Sequence, residues 1–243
     1  MFRHKGKYRT FAHDLRLAIL LSFVAGLVNI TGVLAIKTLT TNVTGHFAFF
    51  AEEIMRQDYA TAITFLLFTV FFLLGSFLSS FLQEFIALKN PDWSHILPIT
   101  IEMIILIAVG FFGNNEGIFT LNGKWTAFFL LLAMGIQNSL VTNISRSTVR
   151  TTHLTGLFTD LGIELSQLFF YEKPEEVKKL KTNIFLRLSI ISFFFLGCFL
   201  GGIIYQILEM KTLFVAAFVL LVAQWYDYLR LKFHLISRRT FHN

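Results

Sequence analysis

Apolar residues run through this chain in long stretches separated by short polar ones. A helix needs about 20 consecutive apolar residues to cross a bilayer core of roughly 30 Å. Six stretches meet or approach that length: Leu17–Ile36, Tyr59–Leu82, Ile96–Gly113, Trp125–Ile144, Leu188–Leu208 and Thr212–Leu229. The pattern predicts an all-α, polytopic membrane protein with about six transmembrane helices.

Composition supports this prediction, and the distribution of charge indicates how the chain is oriented in the membrane. The 243 residues are 55% hydrophobic, and 15% are charged, against about 25% in soluble domains. If the first residue lies inside, seventeen of the 21 Lys and Arg residues fall in inner segments, which is a strong positive-inside signal. The net charge of +6 therefore reports topology, with both termini in the cytoplasm, and we expect no nucleic-acid partner.

Short motifs recur in the same order in the two halves of the chain. The matching pairs are Gly26-Leu-Val-Asn29 with Gly135-Ile-Gln-Asn138, Thr44-Gly45-His-Phe47 with Thr155-Gly156-Leu-Phe158, and Leu74-Gly75-Ser-Phe77 with Leu196-Gly197-Cys-Phe199. Glu53 and Glu164 follow the second pair at the same spacing. We interpret the recurrence as a duplicated three-helix unit. Coincidence among segments rich in Phe, Leu and Gly is the alternative.

The duplication predicts an inverted architecture. Each unit holds an odd number of spans, so the second unit starts on the opposite side of the membrane. We expect a cytoplasmic tail over 1–14, repeats over 15–113 and 114–229, and a basic cytoplasmic tail over 230–243. An insertion around Tyr171–Lys181 is interpreted as a cytoplasmic loop. Inverted repeats are typical of secondary transporters, whose solute site lies at the repeat interface.

Each half also contains a predicted helix break. The polar stretches Lys37–Gly45 and Asn143–Thr152 are rich in residues that disfavour a helix interior. Apolar helical spacing then resumes, so we predict a short helix in each half with Thr44 or Thr155 as its N-cap. At membrane depth such backbone must be buried in protein or line a wet cavity. Two surface loops, each followed by an amphipathic helix, are the alternative.

The starts of these two short helices are the expected solute site. Helix N-termini present free N–H groups and a partial positive charge, which favour a small anion or a polar solute. Arg146 precedes the second short helix and adds to that preference. The candidate binding residues are Asn29, Asn42, Thr44, Gly45, Asn138, Arg150, His153, Thr155 and Gly156. For the two asparagines within the spans, hydrogen bonding between helices is the competing interpretation.

Acidic residues are candidates for proton coupling. A carboxylate shielded from water binds a proton more readily. The candidates are Glu53, Asp160 and Glu164, the last two on one helix face, and exposure at the membrane surface is the alternative. For Glu102 in the third span, a functional role and snorkelling to the headgroups both remain open. For Arg187, at the start of the fifth span, we expect interfacial anchoring.

Motifs for catalysis are missing from the sequence. It has no phosphate-binding Walker loop, no dinucleotide glycine fingerprint and no paired serine and histidine within the spans. The one cysteine, Cys198, excludes a disulfide framework, and no His-Glu-x-x-His pattern suggests a metal. We expect no enzyme activity, no cofactor and no metal site.

Three motifs resemble the YoaK-like bacterial membrane family. They are Asn42-Val-Thr-Gly-His46, Gly135-Ile-Gln-Asn138, and Arg150-Thr-Thr-His-Leu-Thr-Gly156 followed by Asp160-Leu-Gly162. The resemblance covers nearly the whole chain and implies a bacterial inner-membrane protein with about six helices. The family is known mainly as a domain of unknown function, so the resemblance assigns no substrate.

These observations together predict a secondary transporter for a small polar or anionic solute. Its partners would be the lipid bilayer and that solute, with a homo-oligomer left open. A passive channel and a non-transporting membrane scaffold or sensor are the alternatives.

Overall fold

The computed structural model describes residues 10–113 and 122–240, with backbone alone at Asp92 and after Leu229. These residues form eight α-helices and two short 3₁₀ helices, Pro91–Trp93 and Glu209–Lys211, and contain no strand. The α-helices are α1 (Phe11–Ile36), α2 (Thr44–Met55), α3 (Tyr59–Ala87), α4 (Ile96–Phe112), α5 (Gly123–Ser145), α6 (Leu154–Gln167), α7 (Pro174–Leu208) and α8 (Thr212–Thr240). The all-α prediction is confirmed.

Local chemistry explains where several helices begin and end. Asp58 Oδ1 accepts a hydrogen bond from Thr61 N at 3.1 Å before α3, and Asn122 Oδ1 accepts one from Trp125 N at 3.1 Å before α5. These side chains satisfy N–H groups that lack a partner inside the helix. Lys37, after α1, has a left-handed φ of 54°, a conformation that stops a helix.

Four described stretches are long and apolar enough to cross a membrane. They are Phe11–Ile36, Tyr59–Ala87, Gly123–Ser145 and the continuous stretch Pro174–Leu229, which contains both α7 and the first part of α8. The helix Ile96–Phe112 is apolar but shorter. These helices are consistent with a multi-pass membrane protein.

The largest differences from the predicted boundaries are at the start of α7 and the end of α8. Helix α7 begins at Pro174 instead of Leu188, so most of the segment predicted as a loop is helical. Pro174 has no N–H to satisfy, and Glu175 and Glu176 match the positive end of the helix dipole. Helix α8 continues past the predicted end at Leu229 because no Pro or Gly interrupts the following residues. Residues 1–9 of the predicted tail lie outside the described residues. The predicted repeat boundary at 113/114 lies at the edge of the described range.

Two helix pairs run parallel. Along α1 and α7, the Phe11 and Phe185 rings lie 6.3 Å apart, and further on Cys198 Sγ donates to Gly26 O at 3.2 Å. Along α3 and α5, the Phe68 and Phe128 rings lie 5.4 Å apart. Further along that pair, Asn143 Nδ2 donates to Ser80 Oγ at 3.2 Å. In both pairs, later residues of one helix meet later residues of the other.

Two other pairs run antiparallel. Gln224 Nε2 of α8 donates to Ile96 O of α4 at 3.3 Å, whereas Phe214 packs against Phe111 at 4.7 Å. Gln137 Nε2 of α5 donates to Leu21 O of α1 at 2.7 Å. The start of α5 at Gly123 lies beside Ile36, the end of α1. Helices α1, α4 and α7 therefore begin at one end of the bundle, named the near end, and α3, α5 and α8 begin at the far end.

Each parallel pair crosses at two reciprocal glycines. A Cβ atom on Gly26 would collide with the Phe194 carbonyl oxygen, and one on Gly197 would collide with that of Phe23. In the other pair, Gly75 faces the Leu132 carbonyl and Gly135 faces the Phe72 carbonyl in the same way. Small residues let helix backbones approach closely in membranes. The same type of crossing therefore joins α1 to α7 and α3 to α5.

Apolar side chains also cover the outside of the bundle. Leu73, Phe77, Phe81, Phe195 and Phe199 are each more than half exposed, and Phe77 stacks on Phe81 with ring centres 6.0 Å apart. An exposed apolar surface of this extent is typical of helices that face lipid.

Candidate functional site

Asn29 holds the segment after α1 against that helix. Thr40 N donates to Asn29 Oδ1 at 3.1 Å, and Thr41 Oγ1 donates to the same oxygen at 3.0 Å. Asn29 lies about two turns before Ile36, the end of α1. The chain therefore folds back beside the last turns of α1 before α2 begins, which confirms the predicted break.

Asn138 plays the corresponding part after α5. Thr152 Oγ1 donates to Asn138 Oδ1 at 3.0 Å, about two turns before the helix ends at Ser145. Both asparagines are half-buried. Their side-chain oxygens have protein partners, which supports the structural interpretation, although the partners lie in the returning segments and not on neighbouring helices.

The predicted N-caps are wrong by one or two positions. Helix α2 includes Thr44 and has Val43 at its N-cap, whereas α6 starts at Leu154 with His153 at its N-cap. The nearest side-chain acceptor comes earlier than predicted, because Asn42 Oδ1 accepts a hydrogen bond from Gly45 N at 3.1 Å. In the second half the His153 ring takes the same place, and its Nδ1 would lie 3.1 Å from a Cβ on Gly156.

A pocket of about 390 Å³ lies at the near end, between α7, the start of α6 and the segment before α6. Its lining residues are Ser147, Thr148, Arg150, His153, Gly156, Leu157, Asp160, Asn183, Leu186 and Arg187. Four predicted site residues come together there. Asn138 and Thr155, from the same half of the chain, are not among the lining residues.

Arg187 is the central residue of an ionic network at this pocket. Its Nε donates to Glu164 Oε2 at 2.7 Å and its Nη2 to Glu164 Oε1 at 3.1 Å, while Nη1 donates to Asp160 Oδ2 at 2.8 Å. The Glu164 side chain is 9% exposed and that of Asp160 is 50% exposed. Arg187 therefore ties α6 to α7, a role that the expectation of interfacial anchoring did not include. Two-point pairing of this kind is among the stronger charge-assisted contacts.

The mouth of the pocket carries the positive charge of Arg150, which forms no ion pair within the described residues. Arg150 and His153 are exposed at the start of α6. The first N–H groups of a helix lack intrahelical partners and carry partial positive charge. Gly156 brings this backbone to the pocket wall without a side chain in the way. The arrangement suits a small anion.

The predicted residues of the first half lie elsewhere. Asn42, Thr44, Gly45 and Glu53 belong to α2 or the segment before it, and none of them lines the pocket. Glu53 Oε1 lies 3.6 Å from Arg56 Nη1 on the same helix.

Aromatic rings hold α2 against α3. The Phe49 and Phe65 rings lie 5.2 Å apart, and the buried His46 ring lies 5.1 Å from Phe68. When the two halves are aligned on their recurring motifs, Phe49 corresponds to Asp160 and Phe65 corresponds to Arg187. The two halves therefore fasten their short helices with different chemistry.

Four polar residues of the pocket are not among the predicted site residues: Ser147, Thr148, Asn183 and Arg187. Arg187 had a visible signal, because two acids spaced four residues apart on α6 need a cation. Asn183 had none, since a polar residue in the charged start of α7 is expected on a solvated face.

Glu102 lies away from the pocket, on the packed face of α4. It is 0% exposed, so the snorkelling alternative is wrong. Neither carboxyl oxygen has a hydrogen-bond partner among the described residues.

A protein family described as "Protein of unknown function (DUF1275)" matches residues 17–225. The chain belongs to the DUF1275 family. The YoaK-like resemblance is consistent with this family of membrane proteins. No curated protein and no solved structure matches the chain. The DUF1275 match includes both short helices and every residue that lines the pocket.

Proposed function

We propose that this chain is a bacterial inner-membrane permease that carries a small anionic solute by alternating access. The observation that carries the proposal is the pocket at the start of α6, where Arg150, His153 and free helix N–H groups border a volume of metabolite size, beside Arg187 and its two carboxylate partners. Anions bind readily where such a helix start meets cationic side chains. The partners in this proposal are the bilayer and the solute.

The proposed topology has six spans in two inverted units. The apolar stretch Pro174–Leu229 supports two crossings, because a turn at Glu209–Lys211 divides it into α7 and α8. Helix α4 is shorter, but it begins at the near end of the bundle and ends at the far end, so it counts as a crossing. Successive long helices then run in alternating directions, as six crossings require.

Helix packing supports the inverted duplication. Under the motif alignment α1 corresponds to α5, and α3 corresponds to α7, so the α1–α7 crossing corresponds to the α5–α3 crossing. Both crossings are parallel and both use reciprocal glycines. Helices α1 and α5, which correspond to each other, meet antiparallel, as an axis in the membrane plane requires.

The near end is proposed to face the cytoplasm. The basic residues Arg146, Arg150 and Lys178 lie toward this end, in agreement with the positive-inside rule. Reporter fusions at both termini would test the orientation. Cytoplasmic signals at both ends are expected, and a periplasmic signal from either fusion would contradict the topology.

The difference between the two short helices supports a carrier that is open on one side. At the far end α2 is sealed onto α3 by Phe49, Phe65 and Phe68. At the near end the equivalent interface is ionic and borders the pocket. We propose that the structure represents an inward-facing state. An anion that competes with Asp160 and Glu164 for Arg187 would loosen α6 from α7.

The pocket is tested by ligand-induced thermal stabilisation of the purified chain. Small carboxylates, phosphate and sulfate are screened, and Arg150→Gln is compared with Arg146→Gln. Both arginines are exposed and close in sequence, but only Arg150 lines the pocket. We expect a stabilising anion whose effect is lost in Arg150→Gln and kept in Arg146→Gln. Equal effects in the two variants would contradict the site.

Transport is tested with the stabilising anion in proteoliposomes. Saturable uptake and exchange between the two sides are expected of a carrier. Uptake that does not saturate would indicate a channel. A protein that no anion stabilises and that moves none of them would indicate a scaffold or sensor.

A further inference from the structure

Glu102 lies in an apolar environment. Its buried neighbours on α4, Ile99, Met103 and Leu106, belong to the main hydrophobic core. Helix α8 packs antiparallel to α4, and the part of it between the contacts at Phe214 and Gln224 contributes further apolar residues to that core. Nothing polar in the described residues reaches either Glu102 oxygen.

Charges on the surrounding elements lie away from Glu102. Helix α4 packs against α3, α5, α8 and the 3₁₀ helix Glu209–Lys211. The described charged or titratable side chains on these helices and in the residue before α4 are Tyr59, Glu84, Lys124, Tyr226, Asp227, Tyr228, Glu209, Lys211 and His95. Tyr59, Glu84 and Lys124 lie in the terminal turns of their helices, and Glu209 and Lys211 lie in the turn before α8. Tyr226, Asp227 and Tyr228 lie within α8 but beyond Gln224, which contacts the start of α4, and His95 lies just before α4. None of them forms a hydrogen bond with a carboxyl oxygen of Glu102.

This environment favours the neutral form of the side chain. An ionised carboxylate removed from water without a partner is strongly disfavoured, whereas the protonated acid is not charged and can donate its O–H to a nearby carbonyl. Ionisable residues inside membrane bundles commonly mark ion or proton pathways. Glu102 differs from Glu164, whose two oxygens both accept hydrogen bonds from Arg187.

We propose that Glu102 is a proton-binding site in the core of the bundle and carries the proton that accompanies the solute. In the closed core the carboxyl holds a proton. When the helices around α4 separate and admit water, the carboxylate forms and the proton passes to water. The coupling of this proton to solute transport rests on the proposed permease function, whereas proton binding at Glu102 does not.

Infrared spectroscopy of the full chain in lipid nanodiscs tests proton binding without any solute. At neutral pH we expect the carbonyl stretching band of a protonated carboxylic acid, and we expect Glu102→Gln to remove it. Glu84→Gln is the matched control, because Glu84 is an exposed acid on the neighbouring helix α3 and should leave the band unchanged. Absence of the band in the wild-type chain, or its persistence in Glu102→Gln, would overturn the proton site.

A second measurement tests the proposal without a variant, in case Glu102→Gln fails to fold. In the wild-type chain labelled with ¹³C-glutamate, the same band is expected to move to lower frequency. A band that does not move belongs to another residue type and would overturn the proposal.

Coupling is tested separately in proteoliposomes with inorganic phosphate, or with the anion that stabilises the chain. Glu102→Gln is expected to keep exchange and to lose accumulation driven by a pH gradient. Accumulation that survives in Glu102→Gln, or a wild-type chain that transports nothing, would overturn coupling. The infrared result would stand in either case, so failure of the permease function is distinguishable from failure of the proton site.

Discussion

Arg187 holds Glu164 through two hydrogen bonds, from Nε at 2.7 Å and from Nη2 at 3.1 Å. The two residues lie on different helices, and this pair fastens α6 to α7 beside the pocket. Its strength comes from burial, because the Glu164 side chain is only 9% exposed and the charge–charge attraction is weakly screened.

Glu164→Gln should destabilise the chain more than Asp160→Asn. The first change removes the charge of a buried two-point pair and should cost about 1–3 kcal/mol. The second changes a half-exposed partner of the same arginine and should cost less than about 1 kcal/mol. Melting temperatures of the two variants in one detergent check this order. Equal losses would mean that the two-point contact is not the main tie between the helices.

Gly135→Ala should disrupt the crossing of α3 and α5. The new Cβ would collide with the Phe72 carbonyl oxygen, and backbone cannot move aside as a flexible side chain can. We expect a loss of about 1–3 kcal/mol. Gly162→Ala is the matched control, because no atom lies within 4 Å of its added Cβ. That variant should be neutral or gain up to about 1 kcal/mol from helix propensity. Thermal unfolding of both proteins distinguishes packing from a general effect of alanine.

Asn29→Leu should release the segment that follows α1. Thr40 N and Thr41 Oγ1 would both lose their acceptor, with an expected cost of about 1–3 kcal/mol. Hydrogen exchange should rise over residues 38–43 and remain unchanged over 147–153. Asn138→Leu should show the reverse pattern with a smaller effect, since Asn138 accepts only from the Thr152 hydroxyl. Uniform exchange along the chain in both variants would contradict these local roles.

Acidification should weaken the packing of α2. Burial lowers the pKa of His46 below its usual value of 6.5. The folded chain therefore binds this proton more weakly than the unfolded chain. Stability is full above pH 6.5 and decreases as the pH falls toward the lowered folded pKa.

His46→Gln should reduce that pH dependence, measured as melting temperature between mildly acidic and neutral pH. His153→Gln is the control, because the His153 ring is exposed. If the pH profile changes in the His153 variant and stays the same in the His46 variant, the assignment is wrong.

Local patterns in the sequence were sufficient to predict the helices and the breaks. Long apolar runs locate α1, α3, α4 and α5, and the Ser- and Thr-rich stretches locate the two interruptions. The onset of apolarity places the start of α7 too late, because its first turns are charged and a charged stretch is also typical of a loop. Glu and Lys are good helix formers, so Pro174 marks the start more reliably than the onset of apolarity.

The candidate site was predicted only in part. Arg150, His153, Gly156 and Asp160 meet at one pocket, as residues close in sequence can. Asn29, Thr44 and Gly45 do not join them, because the corresponding short helix packs on another helix at the other end of the bundle. Motif symmetry indicates equivalent positions in two units, but it does not bring those positions together.

Helical class, helix breaks and recurring motifs follow from the order of residues, since each depends on neighbours within a few turns. The partner of Glu164, the isolation of Glu102 and the reciprocal glycines depend on which helix faces which. Arg187 is 23 residues from Glu164, and Phe72 is far from Gly135 in the chain. Such contacts arise only when packing rotates and aligns whole helices, so the tertiary structure decides whether a polar residue is paired, exposed or left alone in the core.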